Sequence, residues 1–165
     1  MNSHPERLVL FDACDHDGMA SGRAASLDEL PAVPAGIVTD ARRAVLATID
    51  RRGRPHVLPI GFAIVGGRIL SAVDQKPKSG RRLARLTHIE SNPTVTVTFD
   101  RWDEDWTRLG WVMVRGQASL EPPGTGVAAL RVRYPQYGED PAGEVIAVTP
   151  KDIVWWAWSE PEGQS

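Results

Sequence analysis

The stretch AVLATIDRRGRPHVLPIGFAIVGGRILSAV, residues 44–73, contains three runs of β-type sequence separated by short turn signals. The runs are AVLATID, RPHVLPIGFAIV and RILSAV, and the separators are RRG and GG. Apolar and β-branched runs bounded by such turn residues predict an antiparallel meander. Because proline cannot donate a ladder hydrogen bond, Pro55 and Pro59 predict that the second strand lies at a sheet edge or is bulged.

The remainder of the chain predicts further short strands and two short helices. Apolar residues at every third position over 83–89 favour a helix that ends before Pro93, and a second helix is expected over 127–134. The additional strands are expected at TVTVTF (94–99), WVMVRGQASL (111–120), EVIAV (144–148) and DIVWWAW (152–158). Strands do not alternate with long helices, so we expect a mainly β fold with short helices, a small closed or partly closed barrel of six or seven strands.

The first 36 residues are weakly patterned, because glycine and proline interrupt every candidate helix. We therefore expect an N-terminal arm over 1–36, a barrel domain over 37–160 and a short C-terminal tail over 161–165. A chain of 165 residues is long enough for one domain with its own core.

Composition narrows the possible classes of protein. No apolar run approaches the roughly 20 residues of a membrane span, and the N-terminus lacks a secretory pattern, so we expect a cytoplasmic protein. The single Cys14 excludes an intramolecular disulfide and a cysteine-cluster metal site, and DACDHDG (12–18) does not fit a calcium loop. A formal net charge of -2 does not favour a nucleic-acid partner.

Positive charge is nevertheless concentrated in DQKPKSGRRLARL, residues 74–86. The stretch contains Lys76, Lys78, Arg81, Arg82 and Arg85, and the arginines are expected in the first turns of a helix. A helix N-terminus binds anions, and cations placed there are costly unless an anion joins them. The pattern therefore favours a phosphate-bearing ligand. A solvated helix face paired with acidic residues is the structural alternative, and nucleic acid is the other ligand considered.

Four separated stretches together resemble one known family. They are VLATIDRRGRPHVLPIGFA, AVDQKPKSGRRLARLTHIESNP, DEDWTRLGWVMVRGQA and RVRYPQY, in that order. They resemble the pyridoxamine 5'-phosphate oxidase-like split β-barrel proteins and, more closely, the branch of deazaflavin (coenzyme F-420)-dependent oxidoreductases. The likeness runs from about residue 41 to residue 158.

The resemblance implies a six-stranded antiparallel split β-barrel of the FMN-binding type. It implies a homodimer with two cofactors in clefts at the subunit interface, each ring lying along the strand at 55–60 and each phosphate held by the basic turn. The cofactor-binding residues implied are His56, Val57, Pro59, Ile60, Lys76, Lys78, Arg81 and Arg82. The family has no shared catalytic acid or base, so none is assigned.

The number of cations favours one cofactor over another. FMN carries one phosphate, whereas F-420 adds a tail with several carboxylates, and five cations exceed what one phosphate needs. We therefore expect a deazaflavin and hydride transfer to a small conjugated organic acceptor. The alternatives are an FMN-dependent pyridoxamine phosphate oxidase-like oxidase or reductase, and a non-catalytic cofactor carrier.

Aromatic residues and one histidine complete the candidate site. Trp106, Trp111 and Trp102 could line an aromatic substrate pocket, or pack in the core or a dimer interface. Tyr137, with Tyr134, could close the pocket from the partner subunit. His56 could hydrogen-bond the cofactor ring or donate a proton to the substrate, although a lone histidine on a strand is more often structural.

Overall fold

The computed structural model describes residues 18–73, 82–137 and 143–158. Within these ranges eight strands form one antiparallel sheet in the order β3-β2-β6-β7-β8-β5-β4, and β1 pairs additionally with β8. The strands are β1 Met19–Ala24, β2 Ala44–Ile49, β3 Pro55–Ile60, β4 Ala63–Val65, β5 Arg68–Ala72, β6 Thr94–Arg101, β7 Gly110–Glu121 and β8 Val145–Trp158.

The curled sheet confirms a mainly β protein of the split-barrel type, but the number of strands differs from the six or seven expected. The run RPHVLPIGFAIV, expected to be one strand, divides at Gly61 into β3 and β4. The two strands expected at the C-terminus are instead one strand of 14 residues. That strand stays continuous because the register shifts opposite Gly116, which pairs with Pro150 while Arg115 pairs with Asp152.

The prediction that the proline-containing strand is an edge strand is confirmed. β3 is the terminal strand of the sheet and pairs only with β2 within the described residues. Pro59 lies opposite Val45 and Pro55 lies opposite Ile49. The missing N–H groups of the two prolines are therefore tolerated at a strand that has one neighbour.

The expectation of a weakly patterned arm over 1–36 is corrected for the residues from 18 onward. β1 pairs with β8 from Met19 opposite Trp158 to Ala24 opposite Ile153. Gly22 lets the backbone approach an indole, since a Cβ there would lie 2.8 Å from Cζ2 of Trp155. β1 is thus a strand in spite of its weak sequence pattern, because its pairing with β8 stabilises it. The expected domain boundary at residue 37 falls inside a helix.

In the described ranges three α-helices accompany the sheet: α1 Ala32–Asp40, α2 Ala84–Ser91 and α3 Val127–Arg133. The prediction for α2 is right at its C-terminal end, where Asn92 follows the last helical residue, but the helix begins later than expected, at Ala84. Arg82 therefore precedes the helix. The described helices include none that is long and apolar enough to cross a membrane.

The core consists of two clusters that lie on opposite sides of β5 and β8. The main cluster fills the inside of the curled sheet, where Phe62 and Phe99 pack edge to face with ring centroids 4.8 Å apart. α1 contributes Ile37 and Val38 to it, and α2 contributes Leu86 and Ile89. The second cluster lies outside, where Leu130 of α3 packs on Leu70 of β5 and on Ala147 of β8. α3 therefore covers the outer face of one end of the sheet.

Candidate functional site

The helix α2 packs against β2 and β7, and its His88 reaches the edge strand β3, so that candidate residues that carry chemistry come together. Arg85 and His88 are three residues apart on α2 and therefore share one side of the helix. His88 contacts His56 of β3, and Arg85 interacts electrostatically with Tyr137, which in turn reaches the end of β3. We call this arrangement the β3–α2 site.

At one end of the β3–α2 site, two imidazole rings meet a buried hydroxyl. The rings of His56 and His88 are nearly perpendicular, at 84°, with centroids 5.3 Å apart. Nδ1 of His88 lies 3.0 Å from Oγ1 of Thr48, which is also 3.5 Å from the carbonyl oxygen of His56. Thr48 has no exposed surface, whereas His56 is exposed. The contact therefore runs from the interior of β2 to the exposed side of β3.

At the other end, two tyrosines hold a short 3-10 turn, Pro135–Tyr137, against the segment that follows β3. The hydroxyl of Tyr134 accepts a hydrogen bond from the Phe62 amide at 3.1 Å and donates one to the Arg42 carbonyl at 3.1 Å. A Cβ on Gly61 would lie 3.2 Å from the Tyr137 hydroxyl. Gly61 thus permits a close approach between the end of β3 and Tyr137.

Arg85 is the cation of this site. Its guanidinium is half-buried, and burial lowers the pKa of Arg85, with the nearby Tyr137 acting in the opposite direction. Within the part of the chain that the structure describes, no carboxylate pairs with it. A partly desolvated cation that no described carboxylate neutralises favours the binding of an anion.

Arg82 has a different environment, although only two residues separate it from Arg85. Its Nη2 lies 2.5 Å from Oε1 of Glu90, and its Nη1 lies 2.8 Å from Oε2 of Glu144. The hydrogen bond to Glu144 raises the pKa of Arg82, and the electrostatic attraction of both carboxylates adds to this effect. Its charge is thus compensated within the chain, as the alternative of a basic stretch paired with acidic residues predicts. Phosphate binding by Arg82 stays a prediction.

The other predicted phosphate ligands, Lys76, Lys78 and Arg81, lie outside the described residues. Their roles stay predictions.

The predicted ring-binding residues on β3 divide between its two faces. His56 points toward α2, whereas Val57 and Pro59 lie on the opposite face, where Val57 is 60% exposed. The side chain of Ile60 is buried in the main core cluster. Three of the four side chains are therefore accessible, and Ile60 supports the strand from inside.

The structure does not bring Trp106 and Trp111 to the β3–α2 site within one chain. Trp106 is 70% exposed in the loop between β6 and β7, and Trp111 lies on β7, opposite Trp156 of β8. β7 is three strands away from β3, which corresponds to roughly 14 Å. Within one chain, Trp106 and Trp111 therefore do not line the β3–α2 site. They could line it only if a second chain placed its tryptophans beside β3.

Sequence reasoning missed His88, Thr48 and Gly61. For His88 a signal was available, since it follows Arg85 by three residues on a predicted helix and so shares its side. Thr48 and Gly61 became recognisable only when the β2–β3 register placed Thr48 opposite His56 and the α3 region packed on Gly61. In the described part of the chain, no group of three or more histidine, cysteine or acidic side chains could hold a metal ion.

Comparisons with known proteins agree with this fold. The family model for pyridoxamine 5'-phosphate oxidase matches residues 34–157. No curated protein matches the chain. The general stress protein 26 of Bacillus anthracis is a similar solved structure, with a TM-score of 0.55 and 26% identity, and the match covers 74% of this chain and 90% of that one.

Two other similar structures carry cofactor names. A structure described as an F420 reductase has a TM-score of 0.58 and 21% identity, with 75% of this chain and 98% of that one covered. A FAD-binding protein of Mesorhizobium loti has a TM-score of 0.58 and 15% identity, with 82% of this chain and 96% of that one covered. At these identities the likeness shows the fold alone.

Proposed function

The chain belongs to the pyridoxamine 5'-phosphate oxidase family, and on that basis we propose that it is an oxidoreductase that binds a deazaflavin or a flavin at the β3–α2 site. The ring of the cofactor lies along β3, and its phosphate lies near the N-terminal end of α2. The observation that carries the proposal is Arg85, a partly buried guanidinium that no described carboxylate neutralises, near a strand that pairs with only one other described strand.

The residues present fit such a group. A phosphate needs charge-assisted donors, and Arg85 supplies one at the second residue of α2, close to the free N–H groups of the first turn. A flat ring needs an accessible strand, and β3 has four exposed residues and only one neighbouring strand in the described sheet. Lys76, Lys78 and Arg81 are proposed to complete the phosphate site.

The bound cofactor would supply hydride transfer, and the chain would supply binding, orientation and exclusion of water. Arg85 holds the anionic end, and His56 offers an imidazole at the edge of the ring. Tyr137 and the segment from Gly61 limit the site at the end of β3. The acceptor is proposed to be a small conjugated organic molecule.

F-420 is the preferred cofactor, and FMN is the second candidate. The number of cations over 76–85 favours F-420, because its tail carries carboxylates in addition to the phosphate. Arg82 lowers the number of available cations by one, since Glu90 and Glu144 already compensate its charge. One similar structure is named as an F420 reductase and another as a FAD-binding protein, so the comparisons do not favour a deazaflavin over a flavin.

A homodimer forms part of this proposal. The outer face of the sheet carries a row of cross-strand neighbours that we call the outer stripe: Pro59, Val45, Thr98, Met113 and Val154. Next to it, Trp111 and Trp156 form a cross-strand pair. A band that crosses five strands and is apolar except at Thr98 suits a self-complementary interface between two copies of the chain. Such a dimer would also allow the tryptophans of one chain to approach β3 of the other.

Titration with F-420 and, separately, with FMN tests the cofactor assignment. We expect Arg85→Gln and Lys78→Ala each to weaken binding of the preferred cofactor by about tenfold, the value of one charge-assisted hydrogen bond. Lys151→Ala, which removes an exposed cation from the β8 bulge, is the charge-matched control and should leave the Kd unchanged.

Each outcome has a defined meaning. Binding of neither cofactor would contradict the proposed function, and equal affinity for FMN would contradict the preference for F-420. A turnover assay that follows oxidation of reduced F-420 with quinones and enones separates an enzyme from a carrier, because a carrier binds the cofactor without turnover.

A further inference from the structure

Both histidines in the described residues belong to the β3–α2 site, and they touch each other. His56 is exposed at the edge of the sheet, whereas His88 is half-buried between α2 and β2. Their ring centroids are 5.3 Å apart at 84°, a distance and angle typical of an edge-to-face contact. This contact restricts rotation of the His56 ring, which as an exposed side chain would otherwise sample several rotamers.

The buried hydroxyl of Thr48 fixes the orientation of His88. Its single proton can be donated either to Nδ1 of His88 at 3.0 Å or to the carbonyl oxygen of His56 at 3.5 Å. Both contacts become hydrogen bonds only if His88 Nδ1 carries a proton and donates it to the hydroxyl, which then donates to the carbonyl. A buried hydroxyl favours the arrangement that satisfies it fully.

In this arrangement His88 is bonded on its inner side and packs against His56 on its outer side. The chain of contacts therefore runs from a buried strand residue, through a helix residue, to an exposed residue on the strand that is proposed to carry the ligand ring. An exposed histidine needs no such support for stability, because water satisfies both of its nitrogens. The support instead gives the His56 ring a defined direction.

We propose that Thr48 and His88 are positioning residues that hold the imidazole of His56 so that its outward nitrogen hydrogen-bonds the ring of the ligand bound along β3. The inference rests on the proposed function and deepens it, because it adds to the ligand contact already proposed for His56 a supporting role for two residues that do not touch the ligand. A preset ring loses less conformational freedom on binding, so the support increases affinity.

A double-mutant cycle measures the coupling. The Kd is measured for whichever of F-420 and FMN the wild-type protein binds. We expect His56→Ala to weaken binding by about tenfold and Thr48→Val or His88→Phe to weaken it by about three- to tenfold. In the His56→Ala background, Thr48→Val should have no further effect, because its influence passes through the missing ring.

Matched variants control for the shape and the fold. Thr48→Ser keeps the hydroxyl and should keep the wild-type affinity, and His88→Phe keeps a ring of similar shape without the bond to Thr48. Thr87→Val alters an exposed hydroxyl on the same helix and should leave the Kd unchanged. In the ligand-free protein, nitrogen NMR of labelled histidine should show His88 protonated at Nδ1 in the wild type and altered in Thr48→Val.

The outcomes separate the inference from the proposed function. If the wild type binds neither cofactor, the proposed function fails and this inference fails with it. If the wild type binds but His56→Ala binds equally well, or if Thr48→Val adds its full effect to that of His56→Ala, the positioning role alone is overturned. A His88 ring that NMR shows protonated at Nε2 only would also overturn it, without reference to any ligand.

Discussion

Asp50 shows how one side chain organises the turn that leads into β3. Its Oδ1 accepts hydrogen bonds from the amides of Arg52 at 2.8 Å and Arg54 at 2.9 Å, and its Oδ2 accepts one from Nε of Arg54 at 2.7 Å. Gly53 supplies the positive φ, 77°, that the turn requires. The backbone hydrogen bond from Arg54, followed by its side-chain bond, lowers the pKa of Asp50 to about 2.

This lowered pKa predicts how stability depends on pH. A carboxyl group whose pKa is lower in the folded state stabilises that state above its unfolded value near 3.8, and the stabilisation is lost as the pH falls toward about 2. We expect Asp50→Asn to lower the melting temperature by a few degrees at pH 7 and to differ little from the wild type at pH 2. Thermal unfolding followed by circular dichroism at both pH values measures this.

Glu104→Gln is the control for the pH series. Glu104 is an exposed carboxylate in the loop after β6, and it has no hydrogen bond within the described residues. Its substitution should leave the melting temperature unchanged at either pH. An Asp50→Asn variant whose deficit persists at pH 2 would show that the loss comes from the altered shape of the turn and not from the charge.

At the scale of the elements, the sequence was most informative where a residue type forbids a conformation. The prolines of β3 excluded a central position, and the edge strand is where they predicted it. β1 was missed because MASGRA has no apolar alternation, and its stability comes from cross-strand contact with β8. The start of α2 was placed too early, because cations and apolar spacing do not reveal that Leu83 is still extended.

The candidate site, like the fold, could be predicted from the sequence only in part. The strand that carries it and the cationic segment could be inferred from β3 and from residues 74–86. The pairing of Arg82 with Glu144 could not, because 62 residues separate the two and only the fold brings them together. The same holds for Thr48 and His88, whose contact spans 40 residues.

The bulge between β7 and β8 gives a prediction at this scale. A Cβ on Gly116 would collide with the backbone carbonyl of Thr149, which cannot move without altering the strand. We expect Gly116→Ala to destabilise the protein by about 2 kcal/mol or more, within the range for backbone strain and overpacking. Urea unfolding measures the change in the free energy of unfolding.

Gly36→Ala is the matched control for that measurement. Gly36 lies within α1, and a Cβ there would meet no described atom within 4 Å. The same substitution should therefore stabilise the protein, by about 0.5–1 kcal/mol, because alanine favours a helix interior over glycine. Equal effects at the two positions would contradict the role assigned to the bulge.

At the scale of the whole molecule, the outer face of the sheet has one part that a helix covers and one part that no described helix covers. α3 covers the outer face of β5 and the first half of β8, where it builds the second core cluster. The outer stripe crosses the sheet beyond that region and is only half-buried at Val45, Met113 and Val154. This asymmetry is the basis for the proposed homodimer.

A single charge in the outer stripe tests the dimer. We expect Met113→Arg to convert a dimer into a monomer, because it places a cation in the middle of an apolar interface. Size-exclusion chromatography with light scattering measures the mass. Val132→Arg changes a residue that is 87% exposed on α3 and should leave the mass unchanged. A wild-type protein that is already monomeric would contradict the proposal.

The pairing of β1 with β8 has a consequence for biosynthesis. Met19 lies opposite Trp158, so about 140 residues separate the two partners along the chain. At roughly 5–20 residues per second, the ribosome completes β8 on the order of 7–28 s after β1. β8 also lies between β7 and β5 in the sheet. A nascent chain that lacks β8 therefore has no strand that connects β7 to β5 and no partner for β1. Folding is therefore completed only after translation reaches β8, and a chain stalled before residue 145 would present open sheet edges to chaperones.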